Sequence, residues 1–267
     1  MPVVLAISSQ VVRGHVGNSA AAFALQRLGI DAWCVPTIIL SNHPGHGEAS
    51  GMRVPMLKIS GMIETLDSHG WLATVDAVMS GYIADPDQVD AVATAVRRVK
   101  QLNPKAIYCC DPIIGDARKG LYVAEDVAQA IRKTLIPRAD LLTPNLFELT
   151  WLAGRPTANR DAAVKAAREI GRGRVLVTSA PASAEDKVCN LLVSADDVHA
   201  VETDRLDHVP HGTGDLMAAL MVANLLHGNN APAALDRAAA SLFDIIKASA
   251  GVDELRLVAG QDLLARP

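Results

Sequence analysis

Hydrophobic positions along the chain alternate between two rhythms. Residues 3–8 form a short apolar run, β-branched at its start, that predicts a buried strand. Residues 19–28 carry apolar side chains at helical spacing, with Asn18 placed as the N-cap and Gly29 as the stop. Residues 31–40 return to strand, and 41–51 make a polar loop rich in Gly and His. The alternation continues with strands at 74–80, 106–111, 140–143 and 174–178, and helices at 86–102, 124–136 and 158–170. Two antiparallel strands, 187–193 and 198–202, precede a polar loop and two Ala- and Leu-rich helices at 214–227 and 232–250. Repeated strand–helix alternation predicts an α/β fold: a mainly parallel central sheet between helical layers. Neither a flexible linker nor an internal repeat interrupts it, so residues 1–267 are expected to form one domain. In such sheets ligands sit beyond the carboxyl ends of the strands, where the candidate chemistry should lie.

Composition narrows the classes of function. Half of the 267 residues are hydrophobic and 20% are charged, which excludes a mainly disordered chain. Lys and Arg number 25 against 29 Asp and Glu, with no long basic block, and Trp, Tyr and Phe number three each. That balance argues against nucleic acid as a partner. The most apolar later segment, 217–226, is about half as long as a membrane span requires. The N-terminal run lacks the basic region of a signal peptide, so no membrane association and a cytoplasmic location are expected. Cys34 and Cys189 are isolated, the adjacent Cys109 and Cys110 end an apolar run and read as small core residues, and the spacing of a metal or redox motif is absent.

Four strand ends carry candidate chemistry. In His211-Gly212-Thr213-Gly214-Asp215 a loop with two glycines runs straight into a helix. Backbone N–H groups can converge there on a phosphate or a developing negative charge, with Asp215 in the first turn; a capping turn accounts for the same pattern. Thr143-Pro144-Asn145-Leu146-Phe147-Glu148 places Asn145 and Glu148 three apart, on one helical face. An amide and a carboxylate so placed can hold a hydrated Mg²⁺, or they can form an ordinary capping box. Asp111 closes a strand, and Asp116 follows beside Gly115; both could face the cleft or simply flank a turn. Thr178 and Ser179 add hydroxyl donors at a further strand end. Walker, dinucleotide-binding and hydrolase-elbow motifs are absent.

Taken together the motifs resemble the ribokinase-type superfamily and, within it, the pyridoxal kinases. Gly212-Thr213-Gly214-Asp215 with Asn145 and Glu148 carry the broader likeness. The narrower one rests on the stretch from Ser9 through Gly14, Gly17 and Asn18, then Leu25-Gln26 with Leu28-Gly29, and Ser41-Asn42-His43. Gly81-Tyr82, Asp111-Pro112 with Gly115-Asp116, and Thr143-Pro144-Asn145 extend it. The resemblance implies a ribokinase-like three-layer α/β/α sandwich with a substrate-side flap, and ATP-dependent phosphorylation of the 5′-hydroxyl of pyridoxal, with pyridoxine and pyridoxamine as further acceptors. It implies that Asp215 is the base, and that Gly212, Thr213 and Gly214 form the anion hole. Asp111, Asn145 and Glu148 would organise Mg²⁺, with K⁺ as an optional activator. Asp111, Asp116, Tyr122, Thr143, Thr178, Ser179 and Thr213 would lie along the nucleotide, and Ser9, His43 and Tyr82 against the acceptor ring. Segments 41–51 and 119–124 would cover the site, and the protein would be a homodimer.

The chain departs from the pattern at Pro44 and His46, where the family commonly has Thr and Tyr, and at His211, where a phenylalanine often precedes the glycine. The first two bear on acceptor choice and leave the phosphoryl-transfer parts intact, and the role of His211 stays open. A sibling kinase for hydroxymethylpyrimidine or a sugar, and a non-catalytic vitamin B6 binder, are the rival readings.

Overall fold

Each of the apolar runs read as strands enters a single sheet. The computed structural model describes residues 1–171 and 173–265; Arg172 and the last two residues of the 1–267 span lie outside them. The chain opens with β1 (Val3–Val11), α1 (Asn18–Arg27), β2 (Asp31–Leu40), β3 (Gly51–Arg53) and α2 (Met56–Ser68). It continues through β4 (Ala77–Ser80), α3 (Pro86–Leu102), β5 (Ile107–Cys110), the small hairpin β6 (Gly115–Asp116) and β7 (Gly120–Leu121), and α4 (Glu125–Thr134). Then come β8 (Leu141–Leu142), α5 (Leu146–Ala153), α6 (Arg160–Ile170), β9 (Arg174–Ala180), β10 (Lys187–Val193) and β11 (Val198–Asp204). The helices α7 (Thr213–Leu226), α8 (Ala231–Ala248) and α9 (Gln261–Leu264) finish the described chain.

The nine-stranded sheet runs β11-β10-β9-β8-β5-β4-β1-β2-β3. Its six inner strands, β9 to β2, pair in parallel, and antiparallel strands flank them at both edges. Strand period two divides the buried side chains between two cores. Leu5, Ile7, Val78, Tyr108, Cys110, Leu142, Val175 and Val177 face α2 to α6, while Val4, Met79, Cys109, Leu141 and Leu176 face α1, α7 and α8. The result is the expected three-layer α/β/α sandwich. Cys109 and Cys110 are fully buried on opposite faces, as small core residues.

Helix α7 is buried at every position from Leu216 to Ala223, because it lies between the sheet and both α1 and α8. Its first turn is thereby fixed rigidly under the end of the sheet. Chain direction out of β1 leads to β2, and out of β4 to β5 on the opposite side, so the topological switch point lies between β1 and β4. Among the described residues no helix is long and apolar enough to cross a membrane.

Two local expectations change, and two elements were not foreseen. Gly17, not Asn18, is the N-cap of α1; Asn18 turns inward, and its amide donates to the Ser8 carbonyl at 3.1 Å and the Val35 carbonyl at 3.4 Å. The strand expected from residue 74 starts at Ala77, because Trp71–Thr74 form a 3₁₀ turn. Helix α2 and edge strand β3 fall where the sequence showed no clear rhythm: α2 buries only Ile59 and Ile63, and all three residues of β3 are exposed.

Candidate active site

A cleft of about 1400 Å³ opens at the carboxyl ends of the parallel strands, lined from Ser9 to Ile246 in sequence. The start of α7 forms its floor. Gly212, with φ +94°, is the N-cap, and a β-carbon there would collide with the carbonyl oxygen of His15. Only glycine allows this approach, which brings the first amides of a 14-residue helix to the cleft. Gly214 faces Asp111: a β-carbon on it would lie 3.9 Å from Asp111 Oδ2.

Asp215 is half-buried at the same helix start. Burial pushes its carboxyl up to about 6, against the backbone N–H groups of Gly17 and of Asp215 itself, which favour the charged form. Gly17 adopts φ +54° and packs against the Ser9 hydroxyl so closely that a β-carbon would collide with it. The starts of α1 and α7 therefore meet at one carboxylate.

The opposite wall is acidic. Asp111, 8% exposed, follows β5 and donates its N–H to the Ser80 carbonyl at 2.8 Å. Burial, reinforced by Glu148 and Asp215, holds its carboxyl well above the usual range. The Thr143 hydroxyl lies beside it, buried and without an aligned hydrogen-bond partner. Glu148 is buried as well: one oxygen accepts the N–H groups of Ile114 at 2.8 Å and Gly115 at 3.4 Å, the other that of Asn145 at 2.9 Å. Burial nonetheless pushes its carboxyl up to about 7.

Asn145 and Glu148 thus form the capping box of α5, and the Asn145 amide also donates to the Gly115 carbonyl at 2.8 Å. Their direct bonds go to backbone: Glu148 Oε1 accepts two N–H groups, and Oε2, which accepts one, keeps an acceptor site. The box also holds a strained turn. Ile113 has φ +42°, a rare conformation for a β-branched residue, costing on the order of 1–3 kcal/mol, and Glu148 grips the next N–H. Ser179, with φ +51°, is the other non-glycine residue in this region of backbone space among the described residues, at the irregular end of β9 where Thr178 donates its N–H to Pro144. Asp116 accepts the N–H groups of Arg118 at 2.8 Å and Lys119 at 2.7 Å, closing the β6–β7 turn. Tyr122 donates its N–H to Ile114 at 3.0 Å, and burial raises its phenol beyond the ordinary range. Asp111, Asp116, Tyr122, Thr143, Asn145, Glu148, Thr178 and Ser179 all line the one cleft with Thr213.

Ser9, Tyr82 and His43 line the other end, near the carboxyl ends of β1, β4 and β2. Two further imidazoles, whose roles the sequence left open, join His43 there. His43 and His211 have ring centroids 4.0 Å apart, and His46 lies 5.9 and 5.6 Å from them. The Gly45 N–H donates to His43 Nδ1 at 3.0 Å, which leaves Nε2 to carry the proton of the neutral ring. Burial and the neighbouring His211 push His43 down to about 4, and burial lowers His211 too. Among the described residues no three His, Cys, Asp or Glu side chains group closely enough to hold a metal ion by themselves.

Comparison with known proteins agrees with this geometry. The family model described as Phosphomethylpyrimidine kinase matches residues 26–257. The pyridoxal kinase PdxY of Corynebacterium diphtheriae is 37% identical, covering 99% of this chain and 96% of its own. That of Rubrobacter xylanophilus is 38% identical, covering 99% and 94%. Among solved structures, the pyridoxal kinase of Leishmania donovani in complex with ADP and pyridoxine superposes with a TM-score of 0.91 at 32% identity, covering 99% of this chain and 96% of that one. The Entamoeba histolytica pyridoxal kinase gives 0.92 at 27% identity, with 99% and 96% covered. By full-length similarity and by fold, this chain belongs to the pyridoxal kinases, within the family that the phosphomethylpyrimidine kinase model describes.

Proposed function

We propose that this chain transfers the γ-phosphoryl group of ATP to the 5′-hydroxyl of pyridoxal, with pyridoxine and pyridoxamine as related acceptors, as one kinase domain. The observation that carries the reading is the meeting of the α7 amides with the Asp215 carboxylate in a cleft roomy enough for a nucleotide and a small ring. Phosphoryl transfer passes through a loose transition state, so alignment and charge neutralisation contribute more than base strength. A bond forms between the 5′-oxygen and the γ-phosphorus while the bond from phosphorus to the β–γ bridging oxygen breaks. The hydroxyl proton passes to Asp215, and ADP departs. With its carboxyl raised only to about 6, Asp215 is mostly ionised at pH 7 and accepts that proton late in the transfer. The amides from Gly212 to Gly214 hold the negative oxygens of the migrating group.

Nucleotide phosphates would run from these amides past Asp111, Thr143, Thr178 and Ser179, with Asp116 and Tyr122 at the edge of the covering hairpin. The donor set fits Mg²⁺: Asp111 is a buried hard-oxygen ligand, and Asn145 and Glu148 can reach a metal-bound water. The orphaned Thr143 hydroxyl beside Asp111 suits a cation as well, which is where K⁺ would act. The ion would supply charge neutralisation on the phosphates. Ser9, Tyr82 and His43 would seat the acceptor ring. A cytoplasmic homodimer is the assembly that the family likeness favours; size-exclusion chromatography with light scattering tests it.

A coupled ADP-release assay across pyridoxal, pyridoxine, pyridoxamine and hydroxymethylpyrimidine tests the function. The highest kcat/KM is expected for pyridoxal. A higher value for hydroxymethylpyrimidine would move the chain to the pyrimidine side of its family, and pyridoxal binding without any ADP release would make it a binder.

A further inference from the structure

One carboxylate outside the cleft lining, Glu254, gathers two of the segments that wall the acceptor end. Its own stretch is fixed: Leu255 and Leu257 are buried in the α1–α7–α8 core, and the Arg256 N–H donates to the Ser249 hydroxyl at 2.9 Å. From there Glu254 accepts the His15 N–H at 3.2 Å and the Arg13 guanidinium at 3.1 Å. The same oxygen that meets Arg13 lies 3.1 Å from His46 Nδ1, whose Nε2 faces the Asp253 carbonyl at 3.2 Å. Gly14, with φ +103°, passes so near that a β-carbon would lie 2.5 and 2.6 Å from the two carboxylate oxygens. Alongside, His208 Nε2 meets the Val252 carbonyl at 2.8 Å, tying the loop that leads into the anion hole.

Each clasped segment continues into the reaction centre. The loop through Arg13 and His15 places the His15 carbonyl against Gly212 and ends at Gly17, whose N–H faces Asp215. The turn bearing His46 packs against His211, next to the anion hole: a β-carbon on Gly45 would collide with the His211 ring. An exposed Arg–Glu pair alone would be worth little, and Arg13 is 62% exposed. The Glu254 side chain is only 19% exposed, however: it accepts the His15 N–H, which orders the 13–17 loop, and the His46 ring packs against it at 3.1 Å without an aligned hydrogen bond while His46 Nε2 faces the neighbouring Asp253 carbonyl.

We propose that Glu254 is a positioning residue for phosphoryl transfer: it holds the 13–17 loop against the start of α7 and forms the wall on which the 43–47 turn packs, and so shapes the acceptor pocket without touching substrate. The inference rests on the kinase reading and deepens it. Glu254 contacts neither Asp111 nor Thr178 nor Ser179, along which the ADP part of the nucleotide would lie, so ADP affinity should not depend on it. Glu254→Ala is expected to raise KM for pyridoxal about tenfold, the equivalent of one charge-assisted hydrogen bond, and to leave the Kd for ADP unchanged. Glu254→Gln, which keeps an acceptor for the His15 N–H, should recover part of the loss and carries the test should the alanine variant not fold. Limited proteolysis within residues 41–51 should run faster in both variants without ligand. An unchanged pyridoxal KM, an equal weakening of ADP binding, or wild-type cleavage rates would each overturn the proposal. Wild-type turnover of pyridoxal checks the kinase reading separately. If the wild type prefers another alcohol, the same comparison is made with that alcohol; if it turns over none, ADP affinity and cleavage rate still decide.

Discussion

The two walls of the cleft bury titratable groups of opposite kind and shift both toward neutrality. On the acidic side, where the nucleotide is proposed to lie, Asp111 and Glu148 of the wall and Asp215 of the floor are held above the ordinary carboxyl range. On the imidazole side, where the acceptor is proposed to lie, His43 and His211 are held below the ordinary range. Burial is the first cause on both sides, yet the consequences differ. Crowded carboxylates repel one another, so a cation arriving with ATP relieves more than it would on the surface. Neutral imidazoles offer a polar ring donors and acceptors without imposing charge on it. One wall is therefore built for charge and the other for shape and hydrogen bonding.

The largest test of that contrast is Asp215→Asn. The amide keeps the shape and loses the proton acceptor, so kcat should fall by roughly 10²–10⁴-fold with little change in KM for ATP or pyridoxal. Near-normal turnover would remove Asp215 from the mechanism. Glu148→Gln should act on fold and ion together. Its new NH₂ must face either the N–H groups of Ile114 and Gly115 or that of Asn145, which leaves buried donors unpaired beside the strained Ile113 turn. A stability loss of about 1–3 kcal/mol is expected, read as a fall in Tm, together with a steeper Mg²⁺ requirement. An unchanged Mg²⁺ titration would separate the capping role from any role toward the ion.

The walls should also respond to pH with opposite sign. Raised carboxyls mean that the folded protein binds more protons than the unfolded chain between about pH 4 and 7. Stability from Asp215, at about 6, and Glu148, at about 7, is thus lost as pH rises through that window without ligand. His43, at about 4, makes the folded protein bind fewer protons between about 4 and 6.5, so its contribution grows with pH. Chemical denaturation from pH 4 to 8 should show the falling limb flattened in Glu148→Gln and steepened in His43→Gln; the same curve in all three proteins would contradict the assignment. The smallest effect belongs to His211→Val, which removes the ring that packs against His43 and leaves the α7 amides in place. We expect less than tenfold change in kcat and a shift in the ratio of KM values among the three vitamers.

How much of this was legible in the sequence depended on whether the signal was local. Gly212, Asn145 and Glu148 announce themselves, because a glycine N-cap and a capping box are written within a few residues. The pattern could not say that Glu148 would spend both oxygens on backbone N–H groups, since Ile114 and Gly115 reach it from 34 and 33 residues away. Asn18 fits an N-cap by type, but two distant carbonyls hold its amide more firmly inside the fold than a cap would at the surface. Strain at Ile113 leaves no mark in residue type, and neither does Glu254, 239 residues from the His15 N–H that it accepts. The parallel core was readable from its β-branched runs; α2, with two buried residues, was not.

The account turns on where the Asp215 carboxylate sits relative to the acceptor oxygen. A crystal structure with a non-hydrolysable ATP analogue and pyridoxal measures that directly. We expect a carboxylate oxygen about 2.6–3.2 Å from the 5′-hydroxyl, with the γ-phosphate against the Gly212–Gly214 amides. A ternary complex in which the 5′-hydroxyl lies beyond water-bridged reach of Asp215, or the γ-phosphate away from those amides, would contradict it.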